Sequence, residues 1–277
     1  MNNKYKLYDS FITNSKYYIE ERDIDPIYNL FRQLKKLNHP SYNKLLFSHI
    51  MTYETNSMMI LMNTNSAEEY YLSLRTIFKE RKVGKYRLRT ISALKEKFFE
   101  AIVKKTPHQW IQDITDQLLK KPLTFTQACK IANNSIPSIG EYFSFKIIDV
   151  LETSGVISLD MSFDGFRKSI PKGSMVGYIT LKDGESTSPP SAETIKEYQN
   201  SNHIKEFYEH VLAHDLNLPC PHADRKLAVT EVETLLCDFR KFLKGTALPI
   251  QINLLSKELS NHGELGKLFG ELIINFS

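Results

Sequence analysis

The sequence predicts a mainly α fold, and three observations carry that expectation. Apolar residues recur at three- and four-residue intervals through most of the 277-residue chain. Helix-start signals, a capping side chain followed by Pro, stand before two of these runs. Alternating, strand-like patterning is confined to one short stretch, VGYITL.

Taken in order, DPIYNLFRQLKKL (25–37) places Ile27, Leu30, Phe31 and Leu34 on one helical face, with Asp25 as N-cap and Pro26 at the first helical position. SAEEYYLSLRTIFKE (66–80) and LRTISALKEKFFEAIVKK (88–105) share that periodicity and are joined by a turn at Val83-Gly84. TPHQWIQDITDQLL (106–119) opens with a Thr cap and a Pro. TFTQACKIANNS (124–135) reads as a further helix ending near Asn133-Asn134. A less regular segment follows from about 155 to 190, with Gly165, Gly173, Gly177 and Gly184, a short strand in VGYITL and an exposed loop in DGESTSPPS. Helices return at AETIKEYQN, IKEFYEHVLAHDL and TEVETLLCDFRKFLKG, the last with Thr230 as N-cap and Gly245 past its end. No repeat of about 20 to 50 residues is visible. The expected organisation is one helical domain over 1–277, with two lobes as the alternative, an N-terminal one (about 1–120) and a C-terminal one (about 121–277).

Composition narrows the class. Hydrophobic residues make up 42% and charged residues 25%, as in soluble globular proteins. No apolar run reaches the roughly 20 residues that span a bilayer, and MNNKYKLYDSF lacks a secretory h-region. A cytoplasmic protein without a membrane partner is expected. Cys129, Cys220 and Cys237 are odd in number and far apart, which argues against a disulfide framework. Cys220 and His222 with Cys237 fit no standard zinc spacing, so neither metal nor cofactor is expected. The net charge is +4, but Phe78 to Lys105 carries ten Lys/Arg against three Glu. Such a stripe suits a polyanion, or is simply a solvated helix face.

IPSIGEYFSFKIIDVL (136–151) reads as a turn between two helices. Gly140 would let the backbone turn and approach a ligand, and the free N–H groups at the head of the next helix would attract phosphate. Phe143, Ile147, Ile148 and Leu151 would bury that helix. The same residues also suit an ordinary helical connection that binds nothing. Asp160, in GVISLD, is either a helix cap for residues 161–168 or a working carboxylate; Asp164 lies one helical turn further.

This stretch resembles the helix–hairpin–helix DNA glycosylases. Their hairpin, Leu-Pro-Gly-Val-Gly, corresponds to Ile136-Pro137-Ser138-Ile139-Gly140, and their catalytic Asp, about twenty residues after the second Gly, corresponds to Asp160. Ser138 departs from the pattern. VETLLCDFRKFLKG resembles the Glu…Leu-Cys-Glu-aromatic-x-Lys signature of the α-glutamyl/putrescinyl thymine pyrophosphorylase group, which includes the helical domain of hydroxymethyluracil DNA kinases. That group's hairpin also resembles IPSIGEYFSFKIIDVL, with Asp149 near its Asp, and its basic Gly-rich stretch has a counterpart in FRKSIPKGSMVGY. The resemblance implies a helix–hairpin–helix glycosylase-like fold and an enzyme acting on hypermodified pyrimidines in phage DNA.

The implied reaction flips the modified nucleotide out and cleaves its glycosidic bond, leaving an abasic site. Asp160 would stabilise the oxocarbenium-like transition state or activate water, with Asp164 as second choice and Asp149 third. Bifunctional relatives carry a nucleophilic Lys two residues after the second Gly; Tyr142 stands there, so strand cleavage is not implied. DNA contacts would come from Ser138, Ile139, Gly140 and Tyr142, from Lys146, Arg167, Lys168 and Lys172, and from Arg225, Lys226, Arg240 and Lys241. The alternatives are a transferase that attaches an amine or amino acid to an activated thymine, and a DNA-binding module without chemistry.

Overall fold

The computed structural model describes residues 4–80, 96–137, 139–184, 189–245 and 251–274. Among these it is mainly helical, at 73% helix in sixteen helices, without strands. In chain order they are α1 (Tyr8–Glu20), α2 (Ile27–Lys36), α3 (Tyr42–Thr52), α4 (Thr55–Met62), α5 (Ala67–Glu80) and α6 (Glu96–Ile102). Then come α7 (Pro107–Leu118), α8 (Phe125–Ser135), α9 (Gly140–Thr153), α10 (Phe163–Phe166) and α11 (Lys172–Asp183). The last five are α12 (Ala192–Asn200), α13 (Asn202–His210), α14 (Val229–Leu243), α15 (Gln251–Ser260) and α16 (Gly263–Ile274). No helix among them is long and apolar enough to cross a membrane. The Val83-Gly84 turn, most of the 78–105 basic run and residues 185–188 of DGESTSPPS lie outside the described residues.

The helices form two compact units interleaved along the chain. The first comprises Met1–Pro26, Thr124–Thr126 and Leu159–Ile252. Its centre is aromatic: Phe11 meets Phe207 at 5.7 Å and Phe239 at 5.5 Å, and Tyr178 meets Phe207 at 5.3 Å. The second comprises Ile27–Leu123, Gln127–Ser158 and Asn253–Ser277. There α3 packs against α4, α7 and α9, and α2 against α16. Burying such side chains contributes roughly 1.5–3 kcal/mol each.

Local signals explain most of the boundaries. At α7, Gln109 N–H donates to Thr106 Oγ1 at 3.2 Å and Thr106 N–H to Gln109 Oε1 at 2.8 Å, with Pro107 following the cap. Gly245, with φ +62°, follows α14. Two expected caps are corrected. Asp25 has φ +42° and its carboxylate accepts from the Thr234 hydroxyl at 3.1 Å, so α2 begins at Ile27 with Asp25 in a left-handed turn before it. Thr230 lies inside α14; Glu231 reaches back instead, accepting from Ala228 N–H at 2.7 Å.

The expected strand VGYITL is helical, part of α11. β-Branched and aromatic residues favour strands locally, but packing decides here. Met175, Tyr178 and Leu181 fall on one buried helical face. Gly177 sits against α14 so closely that a Cβ there would lie 2.2 Å from the Leu236 carbonyl oxygen. Gly177→Ala is therefore expected to lower stability by about 3 kcal/mol, the upper end of overpacking costs. Urea unfolding should show a lower midpoint with unchanged slope.

Candidate functional site

In the second unit, α8 ends at Ser135 and α9 starts at Gly140 after a short connection. Gly140 has φ +70°, a conformation that L side chains resist, and no described heavy atom lies within 4 Å of where its Cβ would be. The turn is therefore both dependent on glycine and open at that point. Ile136 and Ile139 are buried beneath it. Ser144 fastens the two helices, its hydroxyl lying 2.7 Å from Gly140 O and 3.2 Å from Asn133 Oδ1. Tyr142 is 37% exposed; its hydroxyl donates to the Tyr53 hydroxyl at 3.2 Å, with ring centroids 6.1 Å apart. Tyr53 has φ +51°. Ser138 lies outside the described residues.

Lys146 and Asp149 do not reach this open surface. Both are buried on α9, with Lys146 Nζ 3.6 Å from Asp149 Oδ2. The Tyr28 hydroxyl donates to the same oxygen at 2.8 Å, and the ammonium lies over the Tyr28 and Phe145 rings. The pair satisfies its own charge inside the unit, as buried ions require.

Asp160 belongs to the first unit. It is exposed, and its residue is held by a parallel bridge to Thr124. Its Oδ1 accepts from Ser162 N–H at 2.9 Å. Ser162, not Asp160, is the N-cap of α10, accepting from Gly165 N–H at 3.2 Å. The helix expected over 161–168 is shorter, α10 followed by a 3-10 turn at Arg167–Ser169. Gly165 leaves room for the carboxylate: a Cβ there would lie 3.1 Å from Asp160 Oδ2. Asp164 is exposed and ion-paired with Lys205, whose ammonium holds its carboxyl below the usual range.

The expected DNA-contacting cations fall into two groups. Lys168, Lys172 and Lys226 are exposed. Arg167 lies over the Phe163 ring and donates to Ser201 O at 3.2 Å, Lys241 pairs with Asp238, and Arg225 is bound to Glu231. Arg240 is half-buried beside Gly173.

The residue that sequence reasoning missed is Glu231. It is buried at the start of α14 and gathers Arg225 Nη1 at 2.9 Å, His222 Nε2 at 3.3 Å and Cys220 Sγ at 3.6 Å. Burial by itself would raise its pKa, but Arg225 and then His222 hold it far below the usual carboxylate range. His222 is pulled down by burial and raised, to well above its ordinary value, by Cys220 and Glu231. Cys237 is not in this cluster and packs at Gly173. The capping signature gives no signal for it, because Ala228 carries no capping oxygen and only its N–H is bonded by Glu231. Nearby on the same helix, buried Glu233 accepts from the Ser174 hydroxyl.

A polar cleft of about 280 Å³ also opens on the second unit, lined by Lys105, Asp113, Asp116, Gln117, Lys120 and Ser135. Its charges balance, and Lys105 pairs with Asp113, so it offers no strong field for a charged ligand.

Compared with protein-family models and with curated proteins, the chain matches none.

Proposed function

We propose that this protein is a DNA glycosylase-like enzyme that releases a modified pyrimidine from DNA and leaves an abasic site. The observation that carries the reading is Gly140: a left-handed glycine at the head of α9, with no described atom outside its own backbone neighbourhood within 4 Å of where its Cβ would be. Free helical N–H groups at such a turn favour phosphate. Asp160, twenty positions on, is exposed and anchored at one oxygen by Ser162. The resemblance to the helix–hairpin–helix glycosylases and to the thymine pyrophosphorylase group supports the same assignment.

In this reading the hairpin amides and the exposed lysines Lys168, Lys172 and Lys226 bind phosphates, and that energy offsets nucleotide flipping. Base flipping costs a few kcal/mol. Asp160 then stabilises positive charge developing on the sugar or orients the attacking water. Tyr142 supplies no amine for a Schiff base, so the product is an abasic site. Lys146 and Asp149 serve as an internal ion pair that stiffens α9.

The test is incubation with DNAs carrying different modified pyrimidines, followed by mass spectrometry of free bases and an abasic-site assay. Released base supports the reading. A nucleoside that gains mass only when an amine is added would mean a transferase, and salt-sensitive DNA binding alone would mean a binding module.

DNA affinity should also fall with salt, each neutralised phosphate contributing about −0.9 to the slope of log K against log salt. Lys168→Ala and Lys172→Ala should each flatten that slope by about one phosphate and weaken binding similarly on all sequences. Lys241→Ala, removing a cation already paired with Asp238, should leave the slope unchanged.

A further inference from the structure

The loop before α14 holds a cluster that the proposed chemistry does not use. Pro219 and Lys226 form an antiparallel bridge. Cys220 N–H donates to Arg225 O at 2.8 Å and Leu227 N–H to Leu218 O at 2.9 Å. This tight turn presents Cys220 and His222 to Glu231 on the first turn of α14. All three are buried, and one ligand atom from each lies within 4.8 Å of the others.

The two oxygens of Glu231 have different surroundings. Oε2 accepts from Arg225 Nη1 at 2.9 Å and Ala228 N–H at 2.7 Å. Oε1 faces Cys220 Sγ at 3.6 Å and His222 Nε2 at 3.3 Å, with Arg225 Nη2 at 3.1 Å. An ionised N–H···O pair in a buried site would close to about 2.7–2.9 Å. Tetrahedral zinc, with Zn–S about 2.3 Å and Zn–N and Zn–O about 2.0–2.2 Å, separates sulfur from oxygen by about 3.5 Å and nitrogen from oxygen by about 3.3 Å. The Cys220 and His222 contacts with Oε1 lie within hydrogen-bond range and also match two edges of a zinc tetrahedron. A sulfur, a nitrogen and an oxygen donor together favour zinc over the hard cations. Arg225 and the Ala228 amide stand where outer-shell partners orient a ligating carboxylate.

The geometry points to a three-ligand zinc site made by Cys220 Sγ, His222 Nε2 and Glu231 Oε1, with water in the fourth position as in open zinc sites, linking residues 217–228 to the head of α14. On binding, the Cys220 thiol and the His222 imidazolium each release a proton to solvent, and His222 binds as neutral imidazole. Thiolate and carboxylate then balance the dication. Arg225, with 24% of its side chain exposed, carries the remaining positive charge toward water. Neither Gly140 nor Asp160 belongs to this site, which is independent of the DNA reading.

The test uses the full chain, stripped with a chelator and titrated with Zn²⁺ or Co²⁺. One equivalent of zinc should bind by elemental analysis and raise the melting temperature. The Co²⁺ form should show a sulfur-to-metal charge-transfer band and tetrahedral d–d bands. Cys220→Ser should abolish the charge-transfer band and weaken zinc by more than the roughly 100-fold that losing an outer-shell partner costs. His222→Gln should weaken it comparably, with far-UV circular dichroism confirming that each variant is helical. Cys237→Ser should change neither readout. A folded wild-type chain that takes up no stoichiometric metal would overturn the site. So would a Cys220→Ser protein that binds as tightly as wild type, or loss of the band in Cys237→Ser.

Discussion

Asp160→Asn is expected to lower base release by about 10²–10⁴-fold while leaving DNA affinity nearly unchanged. That range is what one positioned acid–base or electrostatic group contributes. The substitution suits the test because it removes the charge and keeps the local fold. An Asn Oδ1 can still accept from Ser162 N–H, which Asp160 Oδ1 does at 2.9 Å. The bridge to Thr124 uses backbone and is untouched. Single-turnover release of modified base, with binding measured in parallel, separates chemistry from affinity. Asp164→Asn should have the smaller effect, because that carboxylate is already committed to Lys205. Full activity in the Asp160 variant would remove this residue from the mechanism, and equal losses in both variants would point to the local charge rather than to one catalytic group.

Glu231→Ala carries the largest expected loss of stability, roughly 3–5 kcal/mol, the cost of breaking a buried ion pair by deleting one partner. Arg225 and His222 would face the cavity without a counter-charge, and the Ala228 N–H at the head of α14 would lose its acceptor. Urea unfolding followed by circular dichroism would measure this. Glu231→Gln keeps the shape and an acceptor for Ala228, so it should lose less. If the alanine variant unfolds at the wild-type midpoint, Glu231 does not organise this region.

Much of the helix content was legible because it depends on local pattern. The Thr106–Pro107 start of α7, the span of α5 and the glycine after α14 all follow from residues within one turn of each other. The open turn at Gly140 was legible for a related reason: a lone glycine between two apolar helices marks a backbone conformation other residues resist. Where the sequence misled, distant contacts overrode propensity. VGYITL has strand-forming residues, but Gly177 allows α11 to lie directly on the α14 backbone. Asp25 and Thr230 look like caps, yet one bonds Thr234 far along the chain and the other is enclosed in α14.

The candidate site divides along the same line. The sequence alone determined the residue types and intervals: a glycine, then a carboxylate twenty positions later, and a set of lysines and arginines around them. Only the tertiary structure decided which of these face water. It left Asp160, Lys168 and Lys172 exposed, buried Lys146 against Asp149, and turned Arg225 inward onto Glu231. It also brought Cys220 and His222 to Glu231 in place of Cys237. The physical reason is that charge must be solvated or paired. Which of the two happens to a given side chain depends on what packs beside it, and that is settled by contacts between segments far apart in the chain.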